Sequence, residues 1–394
     1  MTRVLLLGSN ERAGLAVCRS LGRKGVFIDI VQMGTKTSAE KSMYVKNVFT
    51  IGNPRQSARK FMNELCRLLH DIDYDLLIPI DDAGCQICSV FRKQIEKNVI
   101  IALPPGETAI YAHNKEKLLE LSGELGIPFP AYKTVHSEED LIRCKDIPYP
   151  VYVKPVSSAL IQEDTILNFT VKKVSGEEEM IRFCKEILPV SPIMIQETCE
   201  GTGAGLYLLA KDGEILSVTQ QNRLHEPRDG GGSSYRCTVP VDPLLQEYTE
   251  KLIRRINWTG VAMVEFKGDP LTDNWAIMEI NGRFWGSLPL TISSGLDYPF
   301  WLYQLYRNDL MAETLRLPTL HIRQRNLKKD LAWLVRELRN ESGKLRVMSE
   351  WLTDFKYLLT GQEKLDVEDW RDIKPALYEW TSYKKQFLPR RKID

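Results

Sequence analysis

Two stretches of the chain hold side chains that could do chemistry together. Gly260-Val261-Ala262-Met263-Val264-Glu265-Phe266 and Met278-Glu279-Ile280-Asn281-Gly282-Arg283 read as consecutive strands. Side chains alternate faces along an extended chain. Glu279, Asn281 and Arg283 therefore share one face, while Met278 and Ile280 turn into a core. The turn-rich Gly268–Asn274 fits a hairpin whose symmetric register sets Glu265 opposite Glu279. Two adjacent carboxylates repel and do not both stay ionised without a cation. Carboxylate and amide oxygens suit Mg²⁺, which keeps waters and binds substrate phosphates. The plainer alternative is a surface hairpin with solvated acids.

Lysine placement adds to this. Lys154 closes the apolar strand Tyr149–Pro155, and Lys115 opens a helix over 113–125 capped by Asn114. A cation at a helix N-terminus is disfavoured and invites an anionic partner. With a divalent site, two lysines make a triphosphate cradle. Each alone could be an ordinary snorkelling side chain. The loop Arg228-Asp229-Gly230-Gly231-Gly232-Ser233-Ser234, flanked by Arg223 and Arg236, lets backbone amides approach an anion or serves as a mobile lid. A plain hairpin loop is the equal alternative.

Other chemistries are excluded. Gly8-Ser9-Asn10-Glu11-Arg12-Ala13-Gly14 lacks the GxGxxG spacing of a dinucleotide site, and no GxxxxGK[ST] loop is present. There is no GxSxG elbow. Cys85 and Cys88 form the one CxxC pair, with no second pair or nearby histidine to complete a metal site. Eight scattered cysteines read as free thiols of a reducing cytosol, so the expected localisation is cytoplasmic. A net charge of +1 excludes a global pull toward nucleic acid or an acidic membrane. No apolar run is long enough to span a bilayer, and charged Glu11 and Arg12 follow the short apolar start too soon for a signal peptide.

Several elements must position these groups. A chain of 394 residues implies two to three domains. Over about the first 105 residues strands (3–8, 26–31, 75–80, 99–103) alternate with helices (13–25, 61–69), which predicts a parallel, Rossmann-like sheet. Pro104-Pro105-Gly106 marks a boundary. Strands follow at Tyr149–Lys154 and Ile193–Glu197 around a helix at 177–187, then a hairpin about Asp212-Gly213 and a helix from Pro243. Beyond Tyr298 the pattern is helical, with Leu331, Leu334, Val335 and Leu338 forming one apolar face. This tail packs on the body, shapes the substrate pocket or mediates a homodimer; the terminal Arg390-Arg391-Lys392 reads as a solvated end.

Taken in order, these pieces resemble the ATP-grasp superfamily, in its carbamoyl-phosphate-synthase-like branch of predicted carboxylate–amine ligases. The resemblance covers roughly residues 1–305. It rests on Asn114-Lys115, Tyr149–Pro155, Ile195-Gln196-Glu197-Thr198-Cys199-Glu200-Gly201, Met263–Lys267 and Met278–Ser287. It implies an α/β fold with a Rossmann-like pre-ATP-grasp domain over 1–105. A two-lobed α+β ATP-grasp domain follows over 106–305, with a lid lobe near 130–200 and a metal-binding lobe near 201–305. A helical extension would occupy 306–394.

The resemblance also implies ATP and one or two Mg²⁺ ions as cofactors, with Mn²⁺ as a substitute. Lys115 and Lys154 would contact phosphates, and Lys154 would share catalysis with Arg283. Gln196, Glu197, Thr198, Cys199 and Glu200 would form the adenine hinge, mostly through backbone groups. Gly230, Gly231 and Gly232 would lie near the γ-phosphate. Glu265, Glu279 and Asn281 would hold the metal, and Arg283 would steady the acyl phosphate or the tetrahedral intermediate. Partners would be a small carboxylate and an amine.

Three departures stand out. Asn114 replaces a commonly acidic residue, Gly203 replaces a ribose-binding glutamate and leaves that role to Glu200, and Val156-Ser157-Ser158-Ala159-Leu160 lacks the usual glycines. A carboxylate is a poor electrophile until phosphorylated, and Mg²⁺ with two lysines neutralises the charge in flight. An amine then displaces phosphate. The rival readings are a bicarbonate-using carboxylase of the same superfamily and a non-catalytic nucleotide-binding scaffold.

Overall fold

The computed structural model describes residues 2–8, 11–34, 36–142, 144, 147–226, 232–340 and 344–387. The chain builds a mixed α/β molecule around three main sheets. The first is parallel, with strands ordered Val45–Phe49, Phe27–Val31, Arg3–Leu7, Leu76–Pro79 and Ile100–Ile101. Its central strands are apolar on both faces, as strands covered by helices on both sides must be. The strand order reverses between Arg3–Leu7 and Leu76–Pro79. In such sheets ligands sit in the crevice outside the carboxyl ends at that switch point. Two segments emerge there: the helix Glu11–Arg23 and the helix Asp82–Val90, the latter capped by the Asp81 side chain accepting from Gly84 N at 2.8 Å.

The helix expected over 113–125 is present as Lys115–Glu124, and a separate helix, Gly106–His113, precedes it across Asn114. Asn114 is extended, and its side chain accepts from Lys117 N, so it stops one helix and starts the next.

The second sheet is antiparallel, ordered Lys172–Val174, Val151–Pro155, Ile193–Glu197 and Tyr132–Val135. The helix Glu177–Ile187 buries Met180, Cys184 and Ile187 against it. A small hairpin, Ala159–Gln162 with Thr165–Asn168, leaves this lobe and docks on the first domain. Ile166 enters the first domain's core, and Asp164 accepts from Arg59 N at 2.7 Å at the start of the helix Ala58–Asp71.

The third sheet has seven strands, ordered Asn274–Asn281, Gly260–Asp269, Thr202–Lys211, Glu214–His225, Tyr235–Val239, Arg323–Arg325 and Glu363–Leu365. Its far edge corrects the expected purely helical extension. Two three-residue strands from the C-terminal region complete the sheet, one pairing antiparallel with Tyr235–Val239 and the next parallel to it. Short, charged segments carry almost no strand pattern. Here the charges are buried together: Arg325 bonds Glu363 at 2.6 Å and meets Asp330. Among the described residues no helix is long and apolar enough to cross a membrane. The eight cysteines are all free, and burial raises the thiols of Cys85 and Cys88 well above their ordinary range.

Candidate active site

The strands Gly260–Asp269 and Asn274–Asn281 form the expected hairpin, and Glu265 faces Glu279 across it. A bulge follows at Glu265/Phe266, so Phe266 pairs with Ile277 and Met278 is the extra residue. This corrects one expectation. Ile277 fills the core, and Met278 is half-buried and lines a cavity. Burial, then the Glu279 carboxylate, pushes the Glu265 carboxyl above its usual range against the lowering pull of Arg223. Arg223 bonds Glu265 at 2.9 Å and Glu226 at 2.6 Å. Asn281 donates to Glu279 at 2.9 Å.

Arg283 is held from the first domain. Its Nε and Nη2 bond the two oxygens of Asp82 at 2.7 and 2.9 Å, and Nη2 reaches Asn281 Oδ1 at 3.3 Å. Burial pushes the Asp82 carboxyl up, but the guanidinium outweighs it and holds the group below the usual carboxylate range. Asp82 escapes sequence reading because it lies 201 positions from Arg283. The available signal was an acid at the carboxyl end of a buried parallel strand.

Lys154 and Gln196 lie on neighbouring strands of the second sheet, and Lys154 donates to Gln196 Oε1. Burial lowers the Lys154 ammonium to about 8, partly offset by Glu279. Lys115 donates to Ser158 Oγ at 2.8 Å, in the loop that lacks glycines. Burial lowers its pKa too, with Glu279 and Asp82 working against the shift.

Three cavities meet at the two acids, Arg223 and Arg283; neither Lys115 nor Gln196 lines any of them. The largest, about 590 Å³, lies between the second and third sheets and is walled by Tyr152, Lys154, Cys199, Phe266, Lys267 and Met278. A second, about 400 Å³, opens toward the first domain past Asp81, Asp82, Ser158 and Phe169. A third, about 130 Å³, is bounded by Arg12, Tyr207, Gln221, Arg236 and Trp285. Glu279 lines the first two, Glu265 and Arg223 the first and third, and Arg283 the second and third. The acids and Arg283 thus stand where all three converge.

Not every expected residue reaches this junction. Cys199 lines the large cavity, whereas Glu200 lines a separate open groove beside it. Glu197 is exposed and its backbone N donates to Ala131 O, and Thr198 Oγ1 donates to Pro150 O at 2.6 Å. Gly203 does line the large cavity, and the nearby acid is Glu226. Gly201 has φ +102°, and a Cβ there would stand 2.1 Å from Gly268 O, so the turn into the third sheet requires glycine. Gly232 lines the smallest cavity. Arg228, Gly230, Gly231 and the terminal Arg390-Arg391-Lys392 lie outside the described residues. The two other arginines of that loop have carboxylate partners: Arg223 as above, and Arg236 on Asp366 at 2.6 and 2.7 Å.

Among the described residues no three carboxylate, imidazole or thiolate groups cluster as a metal cage. The facing carboxylates of Glu265 and Glu279 and the Asn281 amide oxygen, which accepts from Arg283, fit Mg²⁺, whose remaining ligands would be water and phosphate.

No family model matches the chain. It is 28% identical over 226 residues to the carbamoyl phosphate synthase large chain of Pyrococcus furiosus, covering 54% of this chain and 20% of that one. It is 31% identical over 160 residues to the formate-dependent phosphoribosylglycinamide formyltransferase of Acinetobacter baumannii, covering 40% and 37%. The chain therefore spans well under half the length of these curated relatives. Its fold is similar to an L-amino acid ligase from Bacillus licheniformis, with TM-score 0.62 and 13% identity over 80% of this chain and 77% of that one. It is also similar to N5-carboxyaminoimidazole synthetase from Staphylococcus aureus, with TM-score 0.57 and 12% identity over 86% of both.

The chain is thus similar in fold to these two synthetases and, over part of its length, in sequence to carbamoyl phosphate synthase large chains.

Proposed function

We propose that the protein is an ATP-dependent ligase that activates a carboxylate as an acyl phosphate and joins it to an amine, releasing ADP and phosphate. The observation that carries this reading is the meeting of Glu265, Glu279 and Asn281 with Lys154 and Arg283 where three cavities join. The largest cavity is sized for a nucleotide, with its phosphates toward Lys154 and the acids. Cys199 and its backbone neighbours would border the base, and Glu226 the ribose. Glu265, Glu279 and Asn281 would hold Mg²⁺, which supplies charge neutralisation of the triphosphate. We assign 1–105 to the front domain, 106–305 to the ATP-grasp domain and 306–394 to an extension that completes its sheet.

The chemistry balances without a covalent enzyme intermediate. A carboxylate oxygen attacks the γ-phosphorus, the bond to the β-phosphate oxygen breaks, and ADP leaves. The ammonium of the second substrate loses a proton, and the amine nitrogen attacks the acyl carbon. Collapse of the tetrahedral species expels phosphate, which carries away the second proton. Lys154 and Lys115 would balance charge on the transferring group. Arg283, aimed by Asp82, would stabilise the oxyanion. The hairpin 159–168, docked on the first domain, shields the acyl phosphate from water.

The test is ADP release that depends on a supplied carboxylate, with hydroxylamine as trap. The wild type yields an acyl hydroxamate, and Glu279→Gln loses turnover by about a thousandfold or more while keeping its circular dichroism. A Glu279→Gln enzyme with wild-type turnover rejects the metal assignment.

A further inference from the structure

The lobe of the second sheet reaches across to the first domain and finishes one of its helices. The helix Ala58–Asp71 opens with backbone N–H groups that no carbonyl within it can satisfy. Its N-cap Ser57 takes one of them, accepting from Lys60 N at 3.0 Å. The two before it go to a residue 105 positions beyond Arg59. Ala58 N donates to Asp164 O at 2.6 Å, and Arg59 N donates to Asp164 Oδ1 at 2.7 Å. Ser57 Oγ in turn donates to Asp164 Oδ2 at 2.5 Å. The bonds from Ser57 and Arg59 hold the Asp164 carboxyl below the usual carboxylate range. A carboxylate also suits the positive end of a helix.

Asp164 belongs to the two-residue turn between the strands Ala159–Gln162 and Thr165–Asn168. Its neighbour Glu163 has φ +55°, a left-handed conformation that persists in a non-glycine residue where its surroundings fix it. Behind the turn, Ile166 is buried in the first domain's core, and its N donates to Pro54 O at 3.1 Å. The foot of the same hairpin stands among the acids and cations. Ser158 Oγ accepts from Lys115 Nζ at 2.8 Å, and Ser158 O accepts from Phe169 N at 3.1 Å. Ser158, Asn168 and Phe169 wall one side of the 400 Å³ cavity, while Pro54 and Arg55 wall it from the first domain. The segment Val156–Leu160 contains no glycine, so it has little freedom to fold over a ligand by itself. Its place is set by what the far end of the hairpin holds.

We propose that Asp164 is a positioning residue of the ligase reaction. Docked on the first turn of Ala58–Asp71, it fixes the hairpin, and the hairpin fixes Ser158, Lys115 and one wall of the 400 Å³ cavity. The inference rests on the ligase reading for the role of Lys115 toward phosphates, and not for the clasp itself.

Clasp and nucleotide are therefore measured separately on the full chain. Amide hydrogen exchange without nucleotide compares the wild type with Asp164→Ala and Asp164→Asn. In Asp164→Ala the segments 54–61 and 157–169 should exchange at least about tenfold faster, while the strand Ile193–Glu197 of the same lobe keeps its rate. Asp164→Asn retains one acceptor oxygen and should fall between. Unchanged exchange in Asp164→Ala, or equal acceleration in Ile193–Glu197, overturns the clasp. Equilibrium binding of the β,γ-imido analogue of ATP with Mg²⁺ then reads the transmission to Lys115. Asp164→Ala should weaken binding at least about fivefold, with Asp164→Asn again between. In a Ser158→Ala background the same change should add less than about twofold, because the shared link is already gone. Unchanged affinity in Asp164→Ala, or full additivity with Ser158→Ala, overturns the positioning role. A wild type that binds no analogue sinks the ligase reading and the role of Lys115 with it, while exchange still decides the clasp.

Discussion

At the scale of single residues, burial sets the charge of Lys154, the lysine proposed to meet the phosphates. Lys154 is 9% exposed and its ammonium is lowered to about 8. Below that pH it is a cation that would face the triphosphate; above it the charge is lost. Affinity for MgATP should hold steady below about pH 8 and fall by up to about tenfold per unit above it, with Lys154→Met weak and flat across the range. A wild-type profile parallel to that of Lys154→Met would show that Lys154 does not meet the nucleotide. Stability runs the other way. Between about 8 and the unfolded value of 10.5 the folded state binds fewer protons than the unfolded one, so nucleotide-free stability rises with pH through that window. Some residues of this junction were legible in the chain. Glu265 and Glu279 are joined by a short turn, and alternation fixes their register. Arg12, Asp82 and Gln221 were not, because only the folded topology brings them to Arg283 and the acids.

At the scale of elements, periodicity located the buried strands and the amphipathic helices. The strand Ile193–Glu197 and the helix Glu177–Ile187 match their expected limits to the residue. It failed where a local irregularity intervenes. One bulge exchanges Met278 and Ile277 between cavity and core, and the strand Val45–Phe49 keeps no buried face and so carries no pattern. The hinge shows the same dependence on backbone detail. Gly201 combines a positive φ with a backbone contact that excludes any Cβ. Gly201→Ala should cost about 2–3 kcal/mol in stability, read as a lowered urea midpoint, and should weaken nucleotide binding, since Cys199 two positions earlier borders the cavity. An unchanged midpoint and affinity would mean that the turn relaxes freely.

At the scale of the whole molecule, the C-terminal region is part of the working body. Arg236 of the small cavity is held by Asp366, and Arg19 of the first domain bonds Asp372 Oδ2 at 3.0 Å and Val367 O at 2.8 Å. The segment 363–372 therefore ties the third sheet to the first domain through buried ion pairs. Removing one partner strands a buried charge. Arg19→Met should lower stability by about 3 kcal/mol, seen in chemical denaturation. A change below about 0.5 kcal/mol would class the contact as an ordinary surface pair. None of this was readable from the tail, whose charged strands of three residues look like solvated helix ends until they pair.

The central claim is that two facing glutamates and an asparagine hold the metal of a bound nucleotide. Crystals grown with Mn²⁺ and a non-hydrolysable ATP analogue, measured at the manganese absorption edge, address it directly. The account predicts an anomalous peak within about 2.2 Å of carboxylate oxygens of Glu265 and Glu279, bridged to the phosphates, with Arg223 displaced from Glu265. A nucleotide whose triphosphate lies outside the 590 Å³ cavity, or a manganese peak away from both glutamates, would contradict it.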